Sequence, residues 1–167
     1  MDPKDEVLKK AYDLAYKYEA ERGSCPQCVY SAIMESLDIG DISVVKAADA
    51  LAGGSALSAD GTCGALVGGL MAISSLVGRT YDSFSKGRNI RRVFQPSKKL
   101  YDKFKEEYGS IICKDVHKKL FGRTFNLMDK NEYAEFEKMG AHVDKCPVVS
   151  GKVARWTAEI ILNDILK

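Results

Sequence analysis

A chain of 167 residues is long enough for one domain with a sizeable core, and 46% apolar with 29% charged residues is ordinary for a folded globular protein. A net charge of +2 is too small to point to nucleic acid or an anionic membrane surface as a partner. The opening MDPKDEVLKK is charged from its second residue and lacks the apolar stretch of a secretory signal. The longest uncharged run, Gly61 to Gly78, carries five glycines and two serines in its 18 residues, and reads as a helix buried in protein rather than in lipid. The expected compartment is the cytoplasm, where disulfides are rarely structural, so five cysteines point to metal binding, catalysis or plain burial.

The first element is an amphipathic helix over residues 5–19, with Val7, Leu8, Ala11, Leu14, Ala15 and Tyr18 as its apolar stripe and Gly23 as its stop. A second helix begins at Cys25-Pro26 and runs through Val29, Ala32, Ile33 and Leu37. Gly40–Ala52 holds a short helix capped by Asp41 or Ser43, followed by a small-residue connection. Cys63–Val77 is an apolar helix, residues 79–95 are less regular, and Pro96 marks the start of a helix carrying Leu100, Phe104 and Tyr108 before Gly109. Cys113–Phe121 and Asp129–Met139 are short helices, and the last helix starts at Cys146-Pro147 with Val149, Val153, Trp156, Ile160 and Ile161. No run alternates with period two long enough for a strand. The expectation is an all-α, single-domain compact bundle of about seven to eight helices spanning residues 1–167.

The cysteines follow this pattern. Cys25 and Cys146 each precede a proline, a residue suited to the first helical position, and both read as N-caps. Cys63 opens the apolar helix, and Cys113 falls in a first turn if Ser110 is the cap. Free amides and the positive end of the helix dipole favour thiolate over thiol, so four such cysteines are expected to be nucleophiles or metal ligands converging on one site. Gly64 leaves room beside a sulfur or a cluster. It also continues to Gly68 and Ala72 at i, i+4, i+8, a face another backbone can approach, and both roles stay open. Cys28 sits a turn into its helix and reads as core.

Cys25-Pro26-Gln27-Cys28-Val29, Thr62-Cys63-Gly64-Ala65-Leu66-Val67-Gly68, Gly109-Ser110-Ile111-Ile112-Cys113 and Cys146-Pro147 resemble the C-GCAxxG-C-C family of redox-active proteins. The resemblance covers residue 20 to the C-terminus and puts the family's four cysteines on Cys25, Cys63, Cys113 and Cys146. Cys28 stands where that family usually has alanine. The arrangement is also similar to the cysteine-bearing part of split-Soret cytochromes c, which are linked to an iron–sulfur centre. Their haem attachment is not implied, because the chain has no Cys-x-x-Cys-His.

Three readings follow. In the first, Cys25, Cys63, Cys113 and Cys146 hold a [4Fe–4S] or [2Fe–2S] cluster, with Gly64 beside it, for electron transfer or cluster-based redox chemistry. In the second there is no cofactor, and Cys25/Cys28 or another pair carries out thiol–disulfide exchange. In the third the chain is a structural zinc or helical interaction module, although only one close cysteine pair exists. His117 and His142, four residues from Cys113 and Cys146, are expected to be exposed rather than ligands. The cations Lys86, Arg88, Arg91, Arg92, Lys98 and Lys99 read as a solvated face that could dock an acidic redox partner. A redox partner protein or small-molecule substrate, no nucleic acid, no membrane insertion and room for a homodimer complete the expectations.

Overall fold

A computed structural model describes residues 2–167 and contains nine α-helices, with no strand among the described residues. They are α1 (Pro3–Arg22), α2 (Cys25–Leu37), α3 (Ile42–Ala48), α4 (Gly64–Val77), α5 (Tyr81–Ser85), α6 (Phe94–Tyr108), α7 (Cys113–Phe121), α8 (Lys130–Lys138) and α9 (Cys146–Ile160). Eight match the elements expected from periodicity. The ninth, α5, is five residues long and lies in the irregular stretch 79–95, too short for a periodic signal.

The main core lies between α1, α2, α4 and α9. Leu8, Ala11 and Ala15 of α1 meet Val149, Val153 and Ala154 of α9, with Val29 and Ile33 of α2 and Leu66 and Ile73 of α4 closing the layer. Small residues set how closely α2 and α4 approach: a Cβ at Gly68 would lie 2.6 Å from the Pro26 carbonyl oxygen and 3.0 Å from its Cα. Leu100, Phe104 and Tyr108 bring α6 onto this core. A second, smaller core of Phe125, Leu127, Phe136 and Ala141 packs beside α7 and reaches Cys146.

Caps explain where most helices begin and end. The Asp2, Asp41 and Asp129 carboxylates accept the first amides of α1, α3 and α8, and Gly23, Gly109 and Gly122 close α1, α6 and α7 with positive φ. The start of α9 is different. Pro147 has no N–H to give the Val143 carbonyl one turn back, and the Tyr16 hydroxyl donates to that oxygen instead, at 2.8 Å. Ala141–Lys145 forms a π-helical turn ahead of α9, and the Cys146 N–H donates to the Ala141 oxygen.

No helix among the described residues is long and apolar enough to cross a membrane, and the run Gly61–Gly78 forms α4, packed against α2, α6 and α9. The basic run is partly paired. Lys86 and Arg88 share Asp82, Lys98 reaches Asp102, and Lys99 reaches Asp164 at 2.6 Å, so three flanking acids offset three of its six charges.

Candidate functional site

A cavity of about 180 Å³ opens where the starts of α2, α4, α7 and α9 meet the end of α1. Cys25, Cys63, Cys113 and Cys146 all line it; Cys28 does not. All five cysteines are free. A space of this size is comparable to an apolar cavity that admits a benzene-sized ligand, roughly 150 Å³. Among the described residues no group of three or more His, Cys, Asp or Glu side chains is disposed to hold a metal ion. The four thiols thus share one space without being drawn into a ligand set.

Two short segments place Cys63 and Cys113 side by side. The Cys63 N–H donates to the Ile111 oxygen at 2.7 Å, the Cys113 N–H to the Gly61 oxygen at 2.9 Å, and Lys114 N–H to the Ala59 oxygen at 2.9 Å. Thr62 and Ile112 form an isolated antiparallel bridge within this clamp. Glycines admit the sulfurs: a side chain at Gly64 would run into Cys25 Sγ, and a Cβ at Gly54 would lie 2.8 Å from Cys113 Cβ. Gly64 thus serves both roles open for the α4 glycines, admitting the Cys25 sulfur and Pro26, whose Cδ a Cβ would meet at 2.8 Å, while Gly68 serves the approach of α2.

The loop over the cavity is wound the wrong way for L-residues. Gly53, Gly54, Ser55, Ala56 and Leu57 have consecutive φ values of 59°, 74°, 69°, 51° and 57°. Each non-glycine residue in that region costs roughly 1–2 kcal/mol. The turn places Ala52, Gly53 and Leu57 on the cavity wall, with the Gly53 N–H directed at Cys25 Sγ.

Two of the four expected cysteine placements, the N-caps at Cys25 and Cys146, need correction. Cys25 is the first residue of α2 rather than its cap, because Ser24 in a left-handed conformation takes that position. Cys113 lies in the first turn of α7 as expected, although Ile112 rather than Ser110 precedes the helix and the Cys113 N–H is committed to the Gly61 oxygen. Cys146 has no free helix end in front of it, because the π-helical turn supplies an acceptor for its N–H. Only Cys63 caps a helix, its sulfur facing the Ala65 and Leu66 amides.

The charge state changes accordingly. Burial raises all four thiols, against the expectation of acidic cysteines. Cys63 is pushed up to about 11 by burial, although the Ala65 and Leu66 amides pull it down. Cys25 stands well above its usual value through burial and then the Glu19 charge, and Cys146 through burial, Glu19, Cys63 and Cys113. Cys113 is raised by burial and by Cys63. Helix amides favour thiolate, but removal from water outweighs them here. Cys28 packs in the core as expected, its thiol donating to the Gly23 oxygen at 2.8 Å and its pKa raised by burial and Glu19.

Both histidines, expected to be exposed, line the cavity. His117 is 4% exposed, its Nε2 lies 3.6 Å from Cys113 Sγ, and its buried Nδ1 has no hydrogen-bond partner. Phe121, Phe125 and Phe136 surround its ring, and burial lowers its pKa to about 4. His142 joins the Glu137 carboxylate at Nδ1 and stands 3.5 Å from Glu19 Oε1 at Nε2; its pKa is raised through its hydrogen bonds to Glu19 and Glu137.

Glu19 was not singled out by the sequence reading. It is 2% exposed, lines the cavity, and accepts from the Ser150 hydroxyl at 3.1 Å. The signal was present: Leu8, Ala11, Ala15 and Glu19 fall on one face of α1, so a carboxylate continues the buried stripe.

Four cysteines line one cavity in an all-helical fold, the site of a cysteine-bearing helical protein. The C-GCAxxG-C-C family model, described as "putative redox-active protein", matches residues 23–160, and the chain belongs to that family. No curated protein and no solved structure matches the chain.

Proposed function

We propose that the chain is a redox protein whose Cys25, Cys63, Cys113 and Cys146 hold an iron–sulfur cluster as thiolates. The observation that carries this reading is that these four, and not Cys28, line one cavity. The donor set fits the group, since four thiolates are the common ligand set of both [2Fe–2S] and [4Fe–4S] centres. Glycine at position 64 lets the Cys25 sulfur pack against the start of α4, where a Cβ would displace it. The raised thiols fit as well. Burial keeps the sulfurs neutral in the free chain, and metal ions would supply the positive charge that removes their protons.

Thiol–disulfide exchange is less well supported. An attacking thiol needs a pKa near ambient pH, whereas Cys25 is raised well above its ordinary value. Cys28, the would-be resolving thiol, points at the Gly23 carbonyl and lies outside the cavity lining. A structural zinc needs four donors about one atom, and the four sulfurs surround a space instead. Electrons would come from a redox partner protein or a small-molecule substrate in the cytoplasm.

The test is an iron and sulfide assay with a visible spectrum on protein isolated or reconstituted without oxygen. Stoichiometric iron is expected in the natural chain and in Cys28→Ala, with loss in Cys63→Ala and Cys146→Ala. Absence of iron and visible absorption from the natural chain overturns the reading.

A further inference from the structure

The net charge of +2 hides an uneven distribution. Five of the chain's 25 basic residues and one of its 23 acidic residues fall in residues 79–95, so this segment carries +4 and the remainder −2. Lys86 and Arg88 share Asp82, whereas Arg79, Arg91 and Arg92 have no acidic partner among the described residues. The same stretch holds four of the ten large apolar side chains left exposed among the described residues: Tyr81, Phe84, Ile90 and Phe94, with Tyr81 82% exposed.

Packing explains neither group, since α5 makes no extensive contact with another helix. Arg79, Tyr81, Phe84, Ile90 and Phe94 line one open groove of about 560 Å³. Arg79 lies over Phe84 with its guanidinium carbon 4.9 Å from the ring centroid, and Arg91 lies over Phe94 at 5.6 Å. Arg79 also donates to the Arg88 carbonyl oxygen at 3.3 Å, which ties the two ends of the stretch together. Cations and rings are thus interleaved on one surface.

We propose that residues 79–94 form a docking surface for an anionic phospholipid bilayer. Tyr81, Phe84, Ile90 and Phe94 enter the headgroup layer, where aromatic side chains settle, and Arg79, Arg91 and Arg92 pair with lipid phosphates, whose oxygens match the guanidinium fork. Reversible attachment of a folded chain draws on both signals, buried apolar area and attraction to anionic lipid. The contact is peripheral, because no helix among the described residues is long and apolar enough to cross a membrane.

Other occupants fit less well. A second copy in a two-fold contact would set the five cations against the same five. An acidic protein meets a different pattern, because protein interfaces keep charge at the rim around an apolar centre, whereas here two arginines lie on the rings themselves. The surface follows the end of α4, whose cap is Cys63, and the 14 residues of that helix span about 21 Å. Docking therefore leaves the cysteine cavity at the far end of α4, and the proposal is independent of what the cavity holds.

The test is co-sedimentation of the full chain with phosphatidylcholine vesicles containing roughly 30% phosphatidylserine, against pure phosphatidylcholine. Binding is expected with the anionic vesicles alone, and it should fall at least about tenfold between roughly 0.1 M and 0.5 M salt as screening shortens the reach of the charges. Arg91→Glu/Arg92→Glu is expected to weaken binding at least about tenfold, and Phe84→Ser/Phe94→Ser about fivefold. All four side chains are exposed, and unchanged helical circular dichroism checks that these variants fold. Lys17→Glu/Lys118→Glu makes the same change in net charge at exposed positions of α1 and α7, and is expected to bind within about twofold of the natural chain. Absence of binding to the anionic vesicles overturns the proposal, and so does an equal loss in the two charge-reversed variants. Self-association that Phe84→Ser/Phe94→Ser abolishes in sedimentation velocity, without vesicle binding, assigns the face to a second copy and overturns it. Binding of polyglutamate without vesicle binding assigns the face to an acidic protein and overturns it as well.

Discussion

The two halves of the cavity treat the same side chain in opposite ways. His117 sits among Phe121, Phe125 and Phe136 with an unpartnered nitrogen, and burial lowers its pKa to about 4. His142, across the same space, stands between two carboxylates and is raised by them. One wall favours neutral groups and the other favours charge, so cysteines placed between them meet an apolar face and an ionic face at once. Burial alone does not set the character of an ionisable group; its partners decide the sign.

The largest effect should come from dismantling the ionic wall. Glu19→Ala leaves His142 and Ser150 without their buried partner and is expected to destabilise the metal-free protein by about 3 kcal/mol, measured by chemical denaturation at neutral pH. The apolar wall should show itself through acid. His117 has a folded pKa of about 4 against 6.5 for the free side chain. The unfolded chain therefore binds the extra proton between these values. Its contribution is complete above pH 6.5 and declines as pH falls to about 4, by about 3 kcal/mol in the metal-free protein. His117→Phe, which suits the aromatic surroundings, should remove that part of the acid sensitivity.

A side chain between the walls should act next. Gly64→Ala forces a methyl group into Cys25 Sγ and is expected to cost about 1–3 kcal/mol and to reduce bound iron per chain. The smallest effect is that of His142 itself. Its raised pKa gives stability that is complete below 6.5 and is lost as pH rises through the folded value. His142→Gln should flatten the denaturation profile on that alkaline side, opposite to the side on which His117→Phe acts.

Much of the fold was legible because apolar stripes, prolines and glycines each act over a single turn. The bounds of α2 and α7, and the stops at Gly23 and Gly109, follow from such local rules. The cavity cysteines were legible by type and spacing, but not their chemistry. Cys113 and Cys146 spend their amides on Gly61 and Ala141, partners fixed by non-local pairing and by a π-helical turn. Neither leaves a pattern in the residues nearby. A lone polar residue on a short helix is usually exposed, and only the packing of the second core shows why His117 is not. Glu19 is legible as a charged residue in register with a buried stripe.

The contact between Tyr16 and the turn before α9 has a genetic consequence. The hydroxyl serves a carbonyl that Pro147 leaves without a donor, so the two positions answer to one vacancy in the backbone. Tyr16→Phe should cost about 1 kcal/mol while proline occupies position 147. It should cost less where position 147 carries an amide that reaches Val143. Selection on either residue is therefore conditional on the other, and homologues that lose the proline are free to lose the tyrosine.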